Sequence, residues 1–218
     1  MASDTKSVGA GLNDNSAGSF AWSNPGYIVS SDNQKAAATG TGGDGTTQRL
    51  RGYSCGFSIP SGATIDGILL EIERSSSPSG ASYGAKDNEV RVRKGAAYSS
   101  ANRADTTIFW PTTDTYKSYG GSTDLWGESW TPSDVNSSDF GGMVRANIVP
   151  VGTIVPTAYV DHMRLTVYYT PSTGGFFFAS QIIGAIFALA APLMHRLGFW
   201  QQTRCARCVA AERVAGRC

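Results

Sequence analysis

Cysteine is nearly absent from the first 170 residues of this 218-residue chain. Of the 4 cysteines, Cys205, Cys208 and Cys218 lie near the C-terminus, and only Cys55 lies upstream. A single thiol cannot form an internal disulfide, so the upstream region has to fold on its hydrophobic core alone. A chain of this length is long enough to bury such a core.

Charge of either sign is also scarce. Charged residues make up 16% of the chain and the formal net charge is +1, whereas about a quarter of residues are charged in typical domains. This balance argues against a protein that neutralises nucleic-acid phosphates over its surface, and we predict no nucleic-acid partner. It says little against an acidic substrate, because a local basic patch remains compatible with a neutral total.

Several other signals are missing. The N-terminal sequence has no basic segment followed by an apolar one, so the sequence predicts no export by the ordinary secretory route. No internal repeat occurs, and no amphipathic helix of useful length precedes residue 171. Together with 26 glycines, these features favour an all-β protein rich in turns.

The most strand-like stretch is Thr157–Thr170, with the sequence TAYVDHMRLTVYYT. The two-residue period of a strand places Asp161 and Met163 together on one face, predicted to be buried, and His162 on the opposite, wet face. Residues 66–74 alternate in the same way. Further strands are predicted at residues 48–60, 88–94, 108–110, 116–119 and 139–149.

These strands predict an antiparallel β-sandwich of jelly-roll type over residues 20–171. The small polar residues at positions 1–19 predict a flexible N-terminal arm.

After residue 171 the composition changes. Residues 176–193 carry no charge and would span about 27 Å as a helix, the lower limit for crossing a bilayer. We predict a hydrophobic helix over residues 172–199, either a membrane anchor or a contact between copies of the chain, and a basic, cysteine-containing tail over 200–218. The helix would use its large apolar side chains: Phe176, Phe177, Phe178, Ile182, Ile183, Ile186, Phe187, Leu189 and Leu193.

One segment matches a catalytic motif. Residues 52–56 read G-Y-S-C-G, the G-x-S-x-G pattern of a nucleophile elbow at Ser54, and Asp161 and His162 follow in the order of a hydrolase triad. The elbow requires a strand followed by a helix, and this chain shows no such alternation. We therefore predict that Ser54 is a strand residue, Asp161 a buried carboxylate bonded to backbone amides, and His162 a surface residue.

Two other sets of residues suggest chemistry. Glu71 and Glu73 share one strand face at about 6–7 Å, a spacing that glycosidase carboxyl pairs use, although such pairs usually keep an exposed strand soluble. Cys205 and Cys208 form one C-x-x-C, but four zinc ligands would need Cys218 and His195 as well. We predict no catalytic residue, no metal and no cofactor.

The clearest binding candidates are aromatic residues on or beside the loop of residues 120–132. Flat rings on loops can stack on sugar faces. The alternative, which the usual burial of large aromatics favours, is that the tryptophans fill the end of the sandwich core. The residues concerned are Trp110, Tyr116, Tyr119, Trp126 and Trp130.

Three segments carry a family resemblance: FSIPSGATIDGILLEIE at residues 57–73, STDLWGESWTPSDVNSSDFGGMVRA at 122–146 and AYVDHMRLTVYYT at 158–170. Together they resemble a β-sandwich module of tailed-bacteriophage structural proteins and of uncharacterised bacterial surface proteins. The resemblance covers residues 20–170 and includes no catalytic motif. It implies a jelly-roll-like sandwich in a virion or on a cell surface.

From these features we predict a non-enzymatic structural or assembly protein of a phage virion or cell surface. It would form a homo-oligomer or bind other virion or surface proteins, because burying the C-terminal helix between subunits removes an apolar patch from water. Membrane contact through residues 176–193 is the other use of that helix. The alternative function is a carbohydrate-binding module whose glycan contacts Trp126 and Trp130. A hydrolase built on Ser54 is the least favoured.

Overall fold

The computed structural model describes residues 1–41, 43 and 45–172. These residues form two antiparallel sheets that enclose one hydrophobic core, with one short α-helix and one 3₁₀ helix. The predicted all-β antiparallel sandwich is confirmed. The elements are β1 (Ala2–Ser7), β2 (Ala10–Asp14), the 3₁₀ helix (Pro25–Ile28), β3 (Ala36–Thr39), β4 (Gly45–Thr46), β5 (Arg49–Tyr53), β6 (Thr64–Ser77), β7 (Gly84–Lys94), β8 (Ala97–Tyr98), β9 (Thr115–Gly121), α1 (Pro132–Asn136), β10 (Gly141–Val149) and β11 (Thr157–Thr170).

Sheet A has the strand order β1-β11-β6-β9, and β3 also pairs with β11. Sheet B has the order β2-β5-β10-β7-β8, and β4 also pairs with β10. Alternate residues of the long strands fill the space between the sheets, as a sandwich core requires. Fully buried members of this core include Ile68, Leu70, Ile72, Val90, Val92, Val144, Leu165 and Val167.

All but the first residue of the helix predicted over residues 172–199, and the whole tail of residues 200–218, lie outside the described residues. Within the part of the chain that the structure describes, no helix is both long enough and apolar enough to cross a membrane.

The N-terminal segment is part of the sandwich, in contrast to the predicted flexible arm over residues 1–19. β1 pairs with β11 along its whole length, and β2 pairs with β5. Val8, between the two strands, is buried, and its N–H donates to the Met163 carbonyl at 3.1 Å. An edge strand is held by backbone hydrogen bonds to its neighbour and here also by the buried Val8 side chain. Its small polar side chains therefore do not prevent pairing.

Strand β11 has the predicted bounds but not a strict alternation. Its register on β6 shifts between Val160 and His162, which marks a β-bulge. Because the bulge adds one residue, Val160 and Met163 both belong to the buried core, and Asp161 lies between them at the bulge. The bulge thus changes which face each side chain before Met163 occupies.

Candidate functional site

The aromatic residues predicted to bind sugar are mostly buried. Trp126 is fully buried, and its indole Nε1 donates to the Ile68 carbonyl at 2.9 Å. Trp130 is buried beside Phe140, with ring centroids 5.5 Å apart, and its Nε1 donates to the Leu125 carbonyl at 2.8 Å. Because both rings are buried, neither presents a free face to a ligand. Both tryptophans occupy the core, as the alternative interpretation of the sequence expected.

Trp110 and Tyr119 belong to a buried polar cluster that sequence reasoning did not anticipate. Trp110 Nε1 donates to Asp87 Oδ1 at 2.7 Å, and the Tyr119 hydroxyl donates to Asp87 Oδ2 at 2.8 Å. The Arg74 guanidinium lies 4.8 Å from the Trp110 ring centroid and 3.8 Å from Asp87 Oδ1. Burial and the neighbouring Asp87 raise the pKa of Tyr119 well above its ordinary value. This cluster is closed to solvent and is part of the core.

The outer side of sheet A presents polar side chains in rows across four strands, and we call it the polar face. Thr5, Thr166 and Leu69 form one row, as cross-strand partners. The next two rows follow along the strands and include Tyr116, the fifth predicted aromatic residue, which is half-buried. These rows are Ser7, Arg164, Glu71 and Ser118, then His162, Glu73 and Tyr116.

Arg164 is held from two sides on this face. Its guanidinium donates two hydrogen bonds to the Glu71 carboxylate, at 2.8 and 3.1 Å. It also lies over the Tyr116 ring, 4.5 Å from the ring centroid. The hydrogen bond to Glu71 raises the pKa of Arg164, so the guanidinium stays charged. Three side chains from three strands are therefore fixed in one arrangement.

Glu73 shares the face with Glu71, as predicted, but has different neighbours. It lies opposite His162 on β11 and Tyr116 on β9. Its Oε2 is buried and has no hydrogen-bond partner among the described residues. The two carboxylates are therefore distinguished by their partners: Glu71 is neutralised by Arg164, and Glu73 keeps an unused acceptor.

His162 links two edges of the polar face and is buried rather than exposed as predicted. Its Nδ1 lies 2.7 Å from the Tyr116 hydroxyl, and its Nε2 lies 2.8 Å from Ser7 Oγ. Burial lowers its pKa, which favours a neutral ring that donates one hydrogen bond and accepts the other. Val29, far away in the sequence, forms an isolated antiparallel β-bridge with His162.

Asp161 has part of the environment predicted for it. It is buried, and its Oδ2 accepts a hydrogen bond from the Asn33 backbone N–H at 3.2 Å. Its Oδ1 has no partner in the described part of the chain. Burial, together with repulsion from Glu73, Asp114 and Asp32, raises the pKa of this carboxyl.

Ser54, Asp161 and His162, which match the order of a hydrolase triad in the sequence, do not form one in the structure. Ser54 has a left-handed φ of 57°, and its N–H donates to the Ser138 carbonyl at 2.9 Å. Both ring nitrogens of His162 are bonded elsewhere. Cys55, the residue after Ser54, is buried, and this burial raises the pKa of its thiol to about 12.

The serine that His162 does contact is Ser7. In a hydrolase triad the third member is a carboxylate that stabilises the imidazolium. Here that position is held by the hydroxyl of Tyr116, which orients the ring without contributing a negative charge. The arrangement is suited to fixing the two hydroxyl groups for hydrogen bonding.

No group of three or more His, Cys, Asp or Glu side chains among the described residues is arranged to hold a metal ion. Cys205, Cys208, Cys218 and His195, the only metal ligands that the sequence suggested, lie outside those residues.

No family model and no curated protein matches this chain. The resemblance to phage structural proteins and bacterial surface proteins therefore has no family match behind it. Among solved structures, the chain is similar to one described as "CBM4 structure and function", with a TM-score of 0.31 and 12% identity, covering 75% of this chain and 94% of that one. It is also similar to CBM29_1, a family 29 carbohydrate binding module from Piromyces equi, with a TM-score of 0.31 and 11% identity, covering 76% and 91%. Both similarities are too low to carry an argument about function.

Proposed function

We propose that this protein is a non-catalytic glycan-binding module and that the polar face of sheet A holds the glycan. The observation that carries the proposal is the fixed unit of Arg164, Glu71 and Tyr116, in which the Arg164 side chain is 38% exposed. Side chains that are already ordered lose little conformational freedom when a ligand binds. They also lie on strands, which hold a binding geometry better than loops do.

The chemistry of this face fits a hydroxyl-rich ligand. Each sugar hydroxyl can donate and accept, and the face offers both roles at neighbouring positions. Glu71 accepts, Arg164 donates, and the exposed Ser118 beside Glu71 can do either. Tyr116 adds an aromatic ring with Arg164 over one face, so the other face would be the one that packs on the apolar side of a sugar.

The charge near this face favours a neutral glycan over an acidic one. Glu71 and Glu73 lie on the face, and Asp32, Asp114 and Asp161 lie near its end. Two cations pair with these carboxylates: Arg164 with Glu71, and Lys35 with Asp114. Added negative charge would therefore be repelled.

The proposal keeps the carbohydrate-binding alternative of the sequence analysis and moves its site. Trp126 and Trp130 were the expected platform, but both are buried with their indole N–H groups bonded to backbone carbonyls. Tyr116 is the one residue of the predicted aromatic set on the polar face.

The predicted assembly role stays a prediction, because it rests on residues 176–193, outside the described part of the chain. A location in a virion or on a cell surface likewise stays a proposal. Neither competes with glycan binding, since a β-sandwich can bind sugar while another segment holds it in place.

The proposal is tested by affinity electrophoresis of the full chain in gels that contain neutral polysaccharides, such as cellulose derivatives, xylan, mannan, β-glucan and dextran. We expect retardation by at least one of them. Tyr116→Ala should weaken that binding at least tenfold, equivalent to about 1.4 kcal/mol. Glu71→Gln should weaken binding as well, because the carboxylate that holds the Arg164 guanidinium in place is lost.

The matched control is Tyr53→Ala, which removes a half-buried tyrosine from sheet B, where an arginine also stacks on it. This variant should keep wild-type retardation. Equal losses in Tyr53→Ala and Tyr116→Ala, or no retardation by any polysaccharide of the panel, would contradict the proposal.

A further inference from the structure

The outer side of sheet B concentrates positive charge on three adjacent strands, and we call it the arginine face. Its members are Arg49 and Arg51 on β5, Arg91 and Arg93 on β7, and Arg145 on β10, which lies between these two strands. Residues two apart on a strand lie about 7 Å from each other on the same side. Because Arg145 of β10 pairs with Glu89, Met143 with Arg51 and Arg91, and Gly141 with Arg93, the five arginines are spread over three outward-facing rows, about 14 Å along the strands and three strands wide.

The side chains of the arginine face lie flat over the sheet. Met143 of β10 is the cross-strand partner of both Arg51 and Arg91, and it is fully buried although it does not belong to the core cluster. Long arginine stems can cover an apolar side chain in this way while the charged ends stay at the surface.

Tyrosine rings lie against three of these arginines. The Arg51 guanidinium lies 4.9 Å from the Tyr53 ring centroid, and that of Arg93 lies 5.2 Å from the Tyr98 ring centroid. Arg49 approaches the same Tyr98 ring at 5.1 Å. Planar guanidinium groups stacked on rings present their N–H donors sideways, in a fixed direction.

Glu89 is shared among three of the arginines. It accepts hydrogen bonds from Arg49 at 3.0 Å and from Arg91 at 2.8 Å, and Arg145 lies 3.7 Å away. Burial opposes ionisation of this carboxyl, but the two hydrogen bonds and the charges of Arg49 and Arg145 hold its pKa below the ordinary value. One carboxylate cannot neutralise three guanidinium groups.

The other two arginines have still fewer partners. Arg51 pairs with the exposed carboxylate of Asp139 at 2.9 Å, and its Nε has no partner among the described residues. Arg93 has no carboxylate within 4.0 Å in the described part of the chain, and its buried Nε is also unpaired there. Both Nε atoms are buried, so an anion at this surface would be bound by the terminal N–H groups of the two guanidinium ends.

We propose that the arginine face binds an acidic glycan, through carboxylate or sulfate groups held by Arg51 and Arg93. The planar fork of arginine matches two oxygens of such a group at once. This inference does not rest on the glycan site of sheet A, which lies on the opposite sheet and has the opposite charge.

A nucleic acid fits the arginine face less well. Proteins that bind single strands combine positive charge with free aromatic rings on which bases stack. Tyr53 and Tyr98 are already covered by guanidinium groups.

The test measures binding of the full chain to fluorescently labelled polygalacturonate and heparin by anisotropy at 50 and 300 mM NaCl. Labelled dextran is the neutral probe and a single-stranded oligonucleotide is the phosphate probe. We expect polygalacturonate or heparin to bind, and to bind more weakly at the higher salt concentration. Any binding of dextran would use sheet A, so it should not depend on salt and should be unchanged in the arginine variants.

The decisive variant is Arg51→Gln with Arg93→Gln. It should lower the affinity for the acidic glycan at least tenfold. Arg51→Lys with Arg93→Lys keeps the charge but not the fork, and should still lose at least threefold. The matched control, Arg103→Gln with Lys117→Gln, removes two positive charges that pair with Asp124 and Asp105 elsewhere, and should stay within twofold of wild type.

Three results would overturn the proposal: no binding of either acidic glycan, equal losses in the glutamine and control variants, or tighter binding of the oligonucleotide than of both glycans. If the glycan binds instead through the five arginines of residues 196–217, both the glutamine variant and the control variant will keep the wild-type affinity. That outcome would also overturn the proposal. If the double variant fails to fold, Arg93→Gln alone supplies the measurement, because it leaves behind no carboxylate partner among the residues that the structure describes. Retardation by neutral polysaccharides and its loss in Tyr116→Ala are independent of all these outcomes.

Discussion

The indole Nε1 of Trp110 donates a 2.7 Å hydrogen bond to Oδ1 of Asp87 inside the sandwich. The other carboxylate oxygen accepts from the Tyr119 hydroxyl and from the Asp105 backbone N–H. With Arg74 at 3.8 Å, Asp87 is the point at which β6, β7, β9 and the segment after β8 are joined by polar contacts. Two of the aromatic residues that the sequence offered as a binding platform are thus committed to the interior.

This arrangement predicts that Asp87→Asn strongly destabilises the fold. The change leaves the buried Arg74 guanidinium without its counter-charge, and breaking a buried pair in this way costs about 3–5 kcal/mol. Urea unfolding followed by fluorescence gives the free energy of unfolding. Asp4→Asn, which breaks an exposed 3.7 Å pair with Lys6, should change it by no more than about 0.5 kcal/mol. A loss below about 1 kcal/mol in Asp87→Asn would show that Arg74 does not depend on this carboxylate.

Trp126 provides a second test, because a core residue and a sugar platform respond differently to substitution. Removing its fully buried ring should cost about 3–5 kcal/mol of unfolding free energy in Trp126→Ala. Trp126→Phe keeps most of the apolar volume but loses the hydrogen bond to the Ile68 carbonyl, so it should cost less and leave glycan binding intact. A Trp126→Phe variant with unchanged stability and lost glycan binding would return the site to the tryptophan loop.

The sequence predicted the central strands well because their side chains report on burial directly. Alternation of Ile68, Leu70 and Ile72 with charged residues indicated β6, and the bounds of β11 agree with the predicted Thr157–Thr170. The edge strand β1 gave no such signal. It buries little and is held by backbone hydrogen bonds to β11, which any residue except proline can make.

The candidate sites were harder to predict because they depend on contacts across strands. The period of two placed Glu71 and Glu73 on one face, but Arg164 comes from β11 and Tyr116 from β9. A strict alternation also missed the bulge at Asp161, which is set by the pairing of β11 with β6. The arginines of sheet B appeared as ordinary alternating charges on separate strands, and the near-neutral total concealed their convergence.

The position of His162 predicts a specific dependence of stability on pH. Burial lowers its pKa in the folded protein, opposed by Glu73, Glu71 and Asp32 and reinforced by Arg164. As pH falls below the ordinary value of about 6.5, the unfolded chain takes up the proton first, so the free energy of unfolding decreases until the folded pKa is passed. Above about pH 7 the full stability is present.

We therefore expect the unfolding free energy of the wild type, measured in urea, to be lower at pH 5.5 than at pH 7.5, with a slope of at most about 1.4 kcal/mol per pH unit for one proton. In His162→Gln this step should disappear, while an amide in place of the ring can still bond Ser7 or Tyr116. Asp161, whose pKa is raised, contributes a slope of the opposite sign. It is present in both proteins, so the difference between their pH profiles reports His162. Parallel profiles would mean that the imidazole is equally protonated in the folded and unfolded chains, and that Tyr116 and Ser7 do not select its neutral form.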